Sequence, residues 1–133
     1  MVVGGSRRVG RAVALELARA GFDLIVTFCV DHIGAQETQS MALSLGAKVI
    51  LLKLDLNDAM GARAAVRSLD LHTLDALIVV AALWEKDSTD SSMGFCVAVA
   101  RVFDVIRADE SIPRRAFTLL KCREDVMDSS KLV

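Results

Sequence analysis

Between Met1 and Trp84 the chain alternates short aliphatic or β-branched runs with stretches of helical period, and this alternation narrows the fold more than any other feature. The runs are Met1 to Val3, Leu24 to Phe28, Val49 to Leu52 and Ala76 to Ala81. Continuous apolar runs of this kind, without an alternating wet face, read as strands covered on both sides. Three helical segments separate them. The first begins at Val9 with Val13 and Leu17 on one face, Arg11, Glu16 and Arg19 mostly off it, and Gly21 just past its end. The second spans Gln36 to Leu45 and stops at Gly46. The third reaches Leu69, with Asn57 or Asp58 placed to cap it and Ala62, Val66 and Leu69 turned inward. Strand, helix, strand in succession needs crossover connections, and right-handed crossovers set helices on both faces of a parallel sheet. The expected architecture is α/β, a doubly wound parallel sheet.

A chain of 133 residues holds one domain and leaves no room for a second. Its 53% hydrophobic and 25% charged residues exclude wholesale disorder. A net charge of -1 supplies no domain-wide field for nucleic acid or an anionic membrane, so any anion site must be built locally. Cys29, Cys96 and Cys122 form no C-x-x-C pair, which fits neither a disulfide framework nor a zinc centre. They read as small core residues of a cytoplasmic protein with no metal site. The longest apolar run, Ala76 to Trp84, is half a membrane span, and no signal-peptide core follows the early arginines, so a membrane partner is not expected.

Past Trp84 the rhythm changes. Asp87 to Ser92 is a polar joint, dividing a core of residues 1–86 from a tail of residues 87–133 that packs on the same domain. Met93 to Ile106 reads as one apolar helix, whereas Ala116 to Leu120 fits either a last strand or part of a helix starting at Pro113. The tail is taken as mainly helical.

The chemistry-bearing stretch is Gly4-Gly5-Ser6-Arg7-Arg8-Val9-Gly10-Arg11, set between the first strand and the first helix. Such a loop lets backbone N–H groups approach a phosphate, and the helix N-terminus adds about half a positive charge. The G-x-G-x-x-G fingerprint fails on glycine spacing. The phosphate loop of nucleoside triphosphatases fails at its end, where Arg11 stands for the lysine and Ala12 for the hydroxyl that ligates magnesium.

At these residues the chain resembles the short-chain dehydrogenase/reductase family, whose loop reads T-G-x-x-x-G-x-G. Val3 replaces the Thr, Gly4 and Gly10 match, and Arg8 takes the middle glycine's place, as in pteridine-reductase-like members. The family's adenine-contacting Asp after the third strand corresponds to Asp55 in Leu54-Asp55-Leu56. Its N-N-A-G motif corresponds to Val79-Val80-Ala81-Ala82, where only Ala81 agrees. The likeness covers Met1 to Trp84, about the first third of a usual family chain. It implies a Rossmann-like sheet of strand order 3-2-1-4, and a dinucleotide held by Gly4, Gly5, Ser6, Arg7, Arg8, Val9, Gly10, Phe28, Asp55, Leu56, Ala81 and Ala82. Phe28 stands where NAD-preferring members carry Asp, and Arg7 matches the loop arginine that faces the 2′-phosphate in NADP-dependent relatives, so NADP(H) is expected over NAD(H). It also implies a chain truncated before its catalytic half, whose fourth-strand edge, normally paired with a fifth strand, is left exposed and prone to self-association unless the tail, through Ala116 to Leu120, covers it.

Family members carry a Tyr in Y-x-x-x-K as acid/base. The sequence contains no Tyr. His32 and His72 read as surface residues, Trp84 as a packing anchor, and Met93, Phe95, Val97 and Phe103 as core; no residue is assigned a catalytic role. The expected function is an NAD(P)-dependent oxidoreductase by descent, inactive as this chain alone. The alternative is a non-catalytic NADP(H)-binding or interaction module.

Overall fold

Two adjacent residues, Val2 and Val3, organise the molecule, because neighbouring side chains on a strand point to opposite faces of the sheet. Val2 lies in a cluster with Ala14, Ala18, Leu24, Val26, Ala42 and Ala47, and Val3 in a second with Leu52, Leu54, Ala62, Val66, Leu77 and Val79. The computed structural model describes residues 1–69, 74–80, 100–102 and 117–119. In chain order the elements are β1 (Val2–Val3), α1 (Arg8–Arg19), β2 (Leu24–Phe28), α2 (His32–Ser44), β3 (Val49–Lys53), α3 (Ala59–Arg67), β4 (Leu77–Val79) and β5 (Phe117–Leu119). All pairings are parallel, in the order β3-β2-β1-β4-β5. The alternation of elements and the 3-2-1-4 order are as the sequence predicts. No helix among the described residues is long and apolar enough to cross a membrane.

The two-residue β1 is central, with Val2 opposite Val26 on one side and Ile78 on the other. α1 and α2 cover one face of the sheet, whereas α3 and Val102 cover the other. α1 ends as expected: Gly21 takes a left-handed φ of +89°, and Phe22 N–H closes back on the Leu17 carbonyl at 3.0 Å.

Several sequence expectations need correction. The buried line of α1 is Gly10, Ala14 and Ala18, not Val9, Val13 and Leu17. Val13 and Leu17 are half-buried at its margin, and Val9 is exposed. Small residues let the helix backbone close on the sheet, and that approach outweighs the larger side chains' apolar area. α2 starts at His32 rather than Gln36, because Asp31 accepts the Gly34 N–H at 3.0 Å and opens the helix four residues early. Asp58 is the cap of α3, through Gly61 N–H at 2.9 Å.

The tail is not wholly helical. Residues 100–102 are helical, but Phe117–Leu119 is a strand, with Leu77 opposite Phe117 and Val79 opposite Leu119. This resolves the open choice at Ala116 to Leu120 in favour of a strand, and it is the case in which the tail covers the β4 edge instead of leaving it exposed. The ladder groups that would recruit a second copy are used by the chain's own β5. The remainder of the Met93 to Ile106 segment, the polar joint, His72, Trp84, Cys96, Cys122, Met93, Phe95, Val97 and Phe103 lie outside the described residues.

Candidate functional site

In a parallel sheet of order 3-2-1-4 the connections from β1 and β3 leave in opposite senses, which opens a crevice above the carboxyl ends of β1 and β4. The glycine loop stands at that crevice. Gly4 donates its N–H to Thr27 Oγ1 at 3.2 Å, and Gly5 donates to the Thr27 carbonyl at 3.1 Å. Thr27, only 2% exposed, thus pins the loop to β2. With those two donors occupied, the donors that helix geometry leaves without an intrahelical partner are the N–H groups of the loop's end and of the first turn of α1.

That turn differs from its counterparts. Asp31 caps α2 and Asp58 caps α3, but Arg7 at the head of α1 makes no side-chain capping hydrogen bond. Arg7 is extended (φ -157°), and Arg8 follows in the left-handed region at φ +48°. A non-glycine residue there carries strain of roughly 1 kcal/mol, which explains why the T-G-x-x-x-G-x-G pattern has glycine at this position. Gly10 is held to its identity more strictly. A Cβ on it would overlap the Gly4 carbonyl oxygen and lie 2.9 Å from the Gly4 carbonyl carbon and 3.0 Å from Gly5 Cα. The loop therefore folds back against the helix as a close-packed backbone cradle. This cradle and the free N–H groups of an uncapped helix start suit a phosphate diester or diphosphate, so the residues fit a dinucleotide.

The other expected residues distribute as follows. Ser6 is buried, with its carbonyl turned toward α2. Val9 is exposed on α1. Phe28 is buried at the tip of β2, its ring 5.3 Å from that of His32 at a tilt of 48°. The Phe28 carbonyl accepts Leu54 N–H at 2.8 Å, which places Asp55 beside it. Asp55 Oδ1 accepts Asn57 N–H at 2.8 Å, tightening the turn after β3. Leu56 is in the core, and Arg101 donates to its carbonyl at 2.9 Å and to Asn57 Oδ1 at 2.7 Å. The structure thus brings Gly4–Gly10, Phe28 and Asp55 to one end of the sheet and turns the Leu56 side chain inward. Ala81 and Ala82 lie outside the described residues.

Cys29 is exposed rather than a core residue, correcting its assignment. Desolvation, together with an adjacent Asp55 carboxylate that takes the thiol's hydrogen bond, pushes the thiol above its ordinary value, against an opposing pull from Lys53.

Three contributors escape sequence reasoning. Thr27 is one; its only signal is a hydroxyl inside an otherwise aliphatic strand. Asp31 is the second, with Oδ2 4.0 Å from Arg7 Nε, so a carboxylate stands beside the arginine expected to meet a 2′-phosphate. The third is Arg11, whose guanidinium is drawn into a polar cluster with Ser6, Gly34, Glu37 and Thr38.

Comparison with known proteins agrees with this geometry. The sequence profile of the family described as short chain dehydrogenase matches residues 1–105. The uncharacterized oxidoreductase YgfF of Escherichia coli is 35% identical over 72 residues, covering 54% of this chain and 29% of that protein. The L-rhamnose 1-dehydrogenase (NADP(+)) of Thermoplasma acidophilum is 34% identical over 58 residues, covering 44% and 23%. The crystal structure of a short chain dehydrogenase from Burkholderia cenocepacia in complex with NADP superposes with a TM-score of 0.66 at 27% identity, covering 80% of this chain and 48% of that one. The chain spans under a third of the length of these curated relatives. With a profile match over most of its residues and the strand order and glycine cradle in place, the chain belongs to the short chain dehydrogenase family.

Proposed function

We propose that this chain is the nucleotide-binding part of an NAD(P)-dependent oxidoreductase, with residues 1–86 as the dinucleotide-binding core and residues 87–133 as a tail packed on it. The observation that carries the reading is the Gly4–Gly10 cradle closing on an uncapped α1 at the crevice between β1 and β4. When bound, the nicotinamide supplies or accepts the hydride. The chain's own residues bind and orient it: first-turn N–H groups take the diphosphate, Phe28 and Asp55 flank the adenine end, and Arg7 and Arg8 add fixed positive charge.

NADP(H) is favoured over NAD(H) in this reading. Arg7 and Arg8 are exposed, Phe28 brings no carboxylate, and two of the relatives are named for or bound to NADP. Asp31 opposes the preference, since its charge is shared with Arg7 and repels a 2′-phosphate. Fluorescence titration at low salt is expected to give about tenfold tighter binding of NADPH than NADH. Arg7→Ala removes the difference. Asp31→Asn keeps a capping side chain on α2 while deleting the charge, and tightens NADPH severalfold. Equal affinities for the two dinucleotides, or an Arg7→Ala protein that still prefers NADPH, count against the assignment.

The absence of Tyr from all 133 residues favours a second, narrower reading of the chain as it stands, that of a non-catalytic NADP(H)-binding or interaction module. A positioned proton donor contributes roughly 10² to 10⁴ in rate to carbonyl reduction. The 133-residue chain is accordingly expected to oxidise no NADPH above background with a panel of ketones and aldehydes. Turnover that co-purifies with the chain and persists in a host lacking its own reductases removes this reading.

A further inference from the structure

Arg11 is the most heavily bonded side chain near the loop, yet the phosphate-binding reading gives it no task. Its Nε donates to Thr38 Oγ1 at 3.0 Å, and its Nη2 donates to the Ser6 carbonyl at 2.9 Å, the Gly34 carbonyl at 3.1 Å and Glu37 Oε2 at 2.7 Å. The side chain is 24% exposed, so its cation is largely withdrawn from solvent and neutralised by Glu37. Thr38 is fully buried; its hydroxyl accepts from Arg11 and lies 3.2 Å from the Ser6 carbonyl and 2.9 Å from that of Gly34. α2 comes close enough that a Cβ on Gly34 would lie 2.8 Å from the Ser6 carbonyl oxygen. Two of these donors, Arg11 Nη2 and Thr38 Oγ1, meet at the carbonyl of Ser6.

A trans peptide points its carbonyl and the following N–H in opposite directions, and the described residues contain no cis peptide bond. Holding the Ser6 carbonyl against α2 therefore aims the Arg7 N–H away from α2. We propose that Arg11, with Thr38, is a positioning residue that aims the Ser6–Arg7 peptide so that the Arg7 N–H meets the diphosphate of the dinucleotide. This rests on the dinucleotide reading above. In this arrangement Arg11 acts through the loop, because its Nε is committed to Thr38 and its Nη2 to Glu37 and the two carbonyls.

The test is titration with ADP, which carries the diphosphate without the nicotinamide, followed by amide NMR on wild type, Arg11→Met, Arg11→Lys, Thr38→Val and Thr38→Ser. Arg11→Met and Thr38→Val are expected to weaken ADP roughly tenfold or more. Both are expected to shift the unliganded Arg7 amide while the Val26 and Val79 amides stay in place. Thr38→Ser restores the hydroxyl and the affinity. Arg11→Lys keeps the charge and fails to restore it, since one ammonium cannot span Thr38, Ser6 and Gly34 as the planar fork does. Should Arg11→Met not fold, the Thr38 pair carries the test alone. Folded Thr38→Val that binds ADP within twofold of wild type, or Thr38→Ser as weak as Thr38→Val, overturns the positioning role. Wild type that binds neither ADP nor NADPH overturns the dinucleotide reading itself.

Discussion

Gly10→Ala is expected to cost about 3 kcal/mol or more of stability and to abolish NADPH binding. The added methyl collides with backbone, the Gly4 carbonyl and Gly5 Cα, and not with a side chain that can rotate aside. Relief needs α1 to lift from the loop, which breaks the cradle and uncovers the Ala14 and Ala18 contacts beneath it. Gly21→Ala is the control. Gly21 also has a required conformation, φ +89°, but a Cβ there meets nothing within 4 Å. Its cost is therefore the left-handed penalty alone, about 1 kcal/mol, with NADPH binding intact. Urea denaturation of the two variants beside wild type separates the cases. Equal losses would mean that backbone conformation, not close approach, explains Gly10.

Stability should also fall as pH drops from about 8 to about 6. The Met1 amine donates to the Ala76 carbonyl at 2.7 Å in the core of the sheet, and burial lowers its pKa from 8.0 to about 6, against a partial raising effect from Asp75. Above pH 8.0 the amine is neutral in both folded and unfolded chains, so burial carries no charge penalty. Between the two values the unfolded chain binds the proton more readily, and folding stability rises with pH. Below about 6 both states are charged and the penalty is complete. At about 1.4 kcal/mol per pKa unit the total is about 2 to 3 kcal/mol. Chemical denaturation at pH 6 and 8, with the chain as such and with its amine acetylated, checks this. Acetylation should abolish the dependence; a slope that survives it places the titrating group elsewhere.

Much of the fold is legible because the constraints on it are local. An aliphatic run at Leu24 to Phe28 has the same consequence wherever it stands, and β2 spans those very residues. Gly21 announces the end of α1 through backbone sterics alone, and Asp58 opens α3 by a bond to a residue three positions on. The phosphate-type loop is legible for the same reason: strand, glycines and helix start are contiguous. α2 is the instructive partial failure. Its buried line is Gly34, Ala35, Thr38 and Ala42, which carries almost no apolar signature, so its first turn is invisible to periodicity even though Asp31 caps it.

What tertiary structure alone decided involves residues far apart in the chain. Thr27 holds the loop from 23 positions away, and Arg11 reaches Thr38 across 27. Neither partner has a sequence pattern, because a hydrogen bond between elements depends on how the elements pack and not on spacing. Phe117–Leu119 becomes a strand because β4 offers a row of unpaired backbone groups, which settles a choice that the segment's own periodicity left open. The burial of Gly10, Ala14 and Ala18 in place of Val9 follows from the distance between α1 and the sheet. Sequence by itself determined the order of elements, their handed connection and the place of the anion-binding turn, since each is written in contiguous residues. The tertiary structure decided which polar groups lock that turn and what closes the sheet, since those depend on free energies shared between segments that meet only when folded.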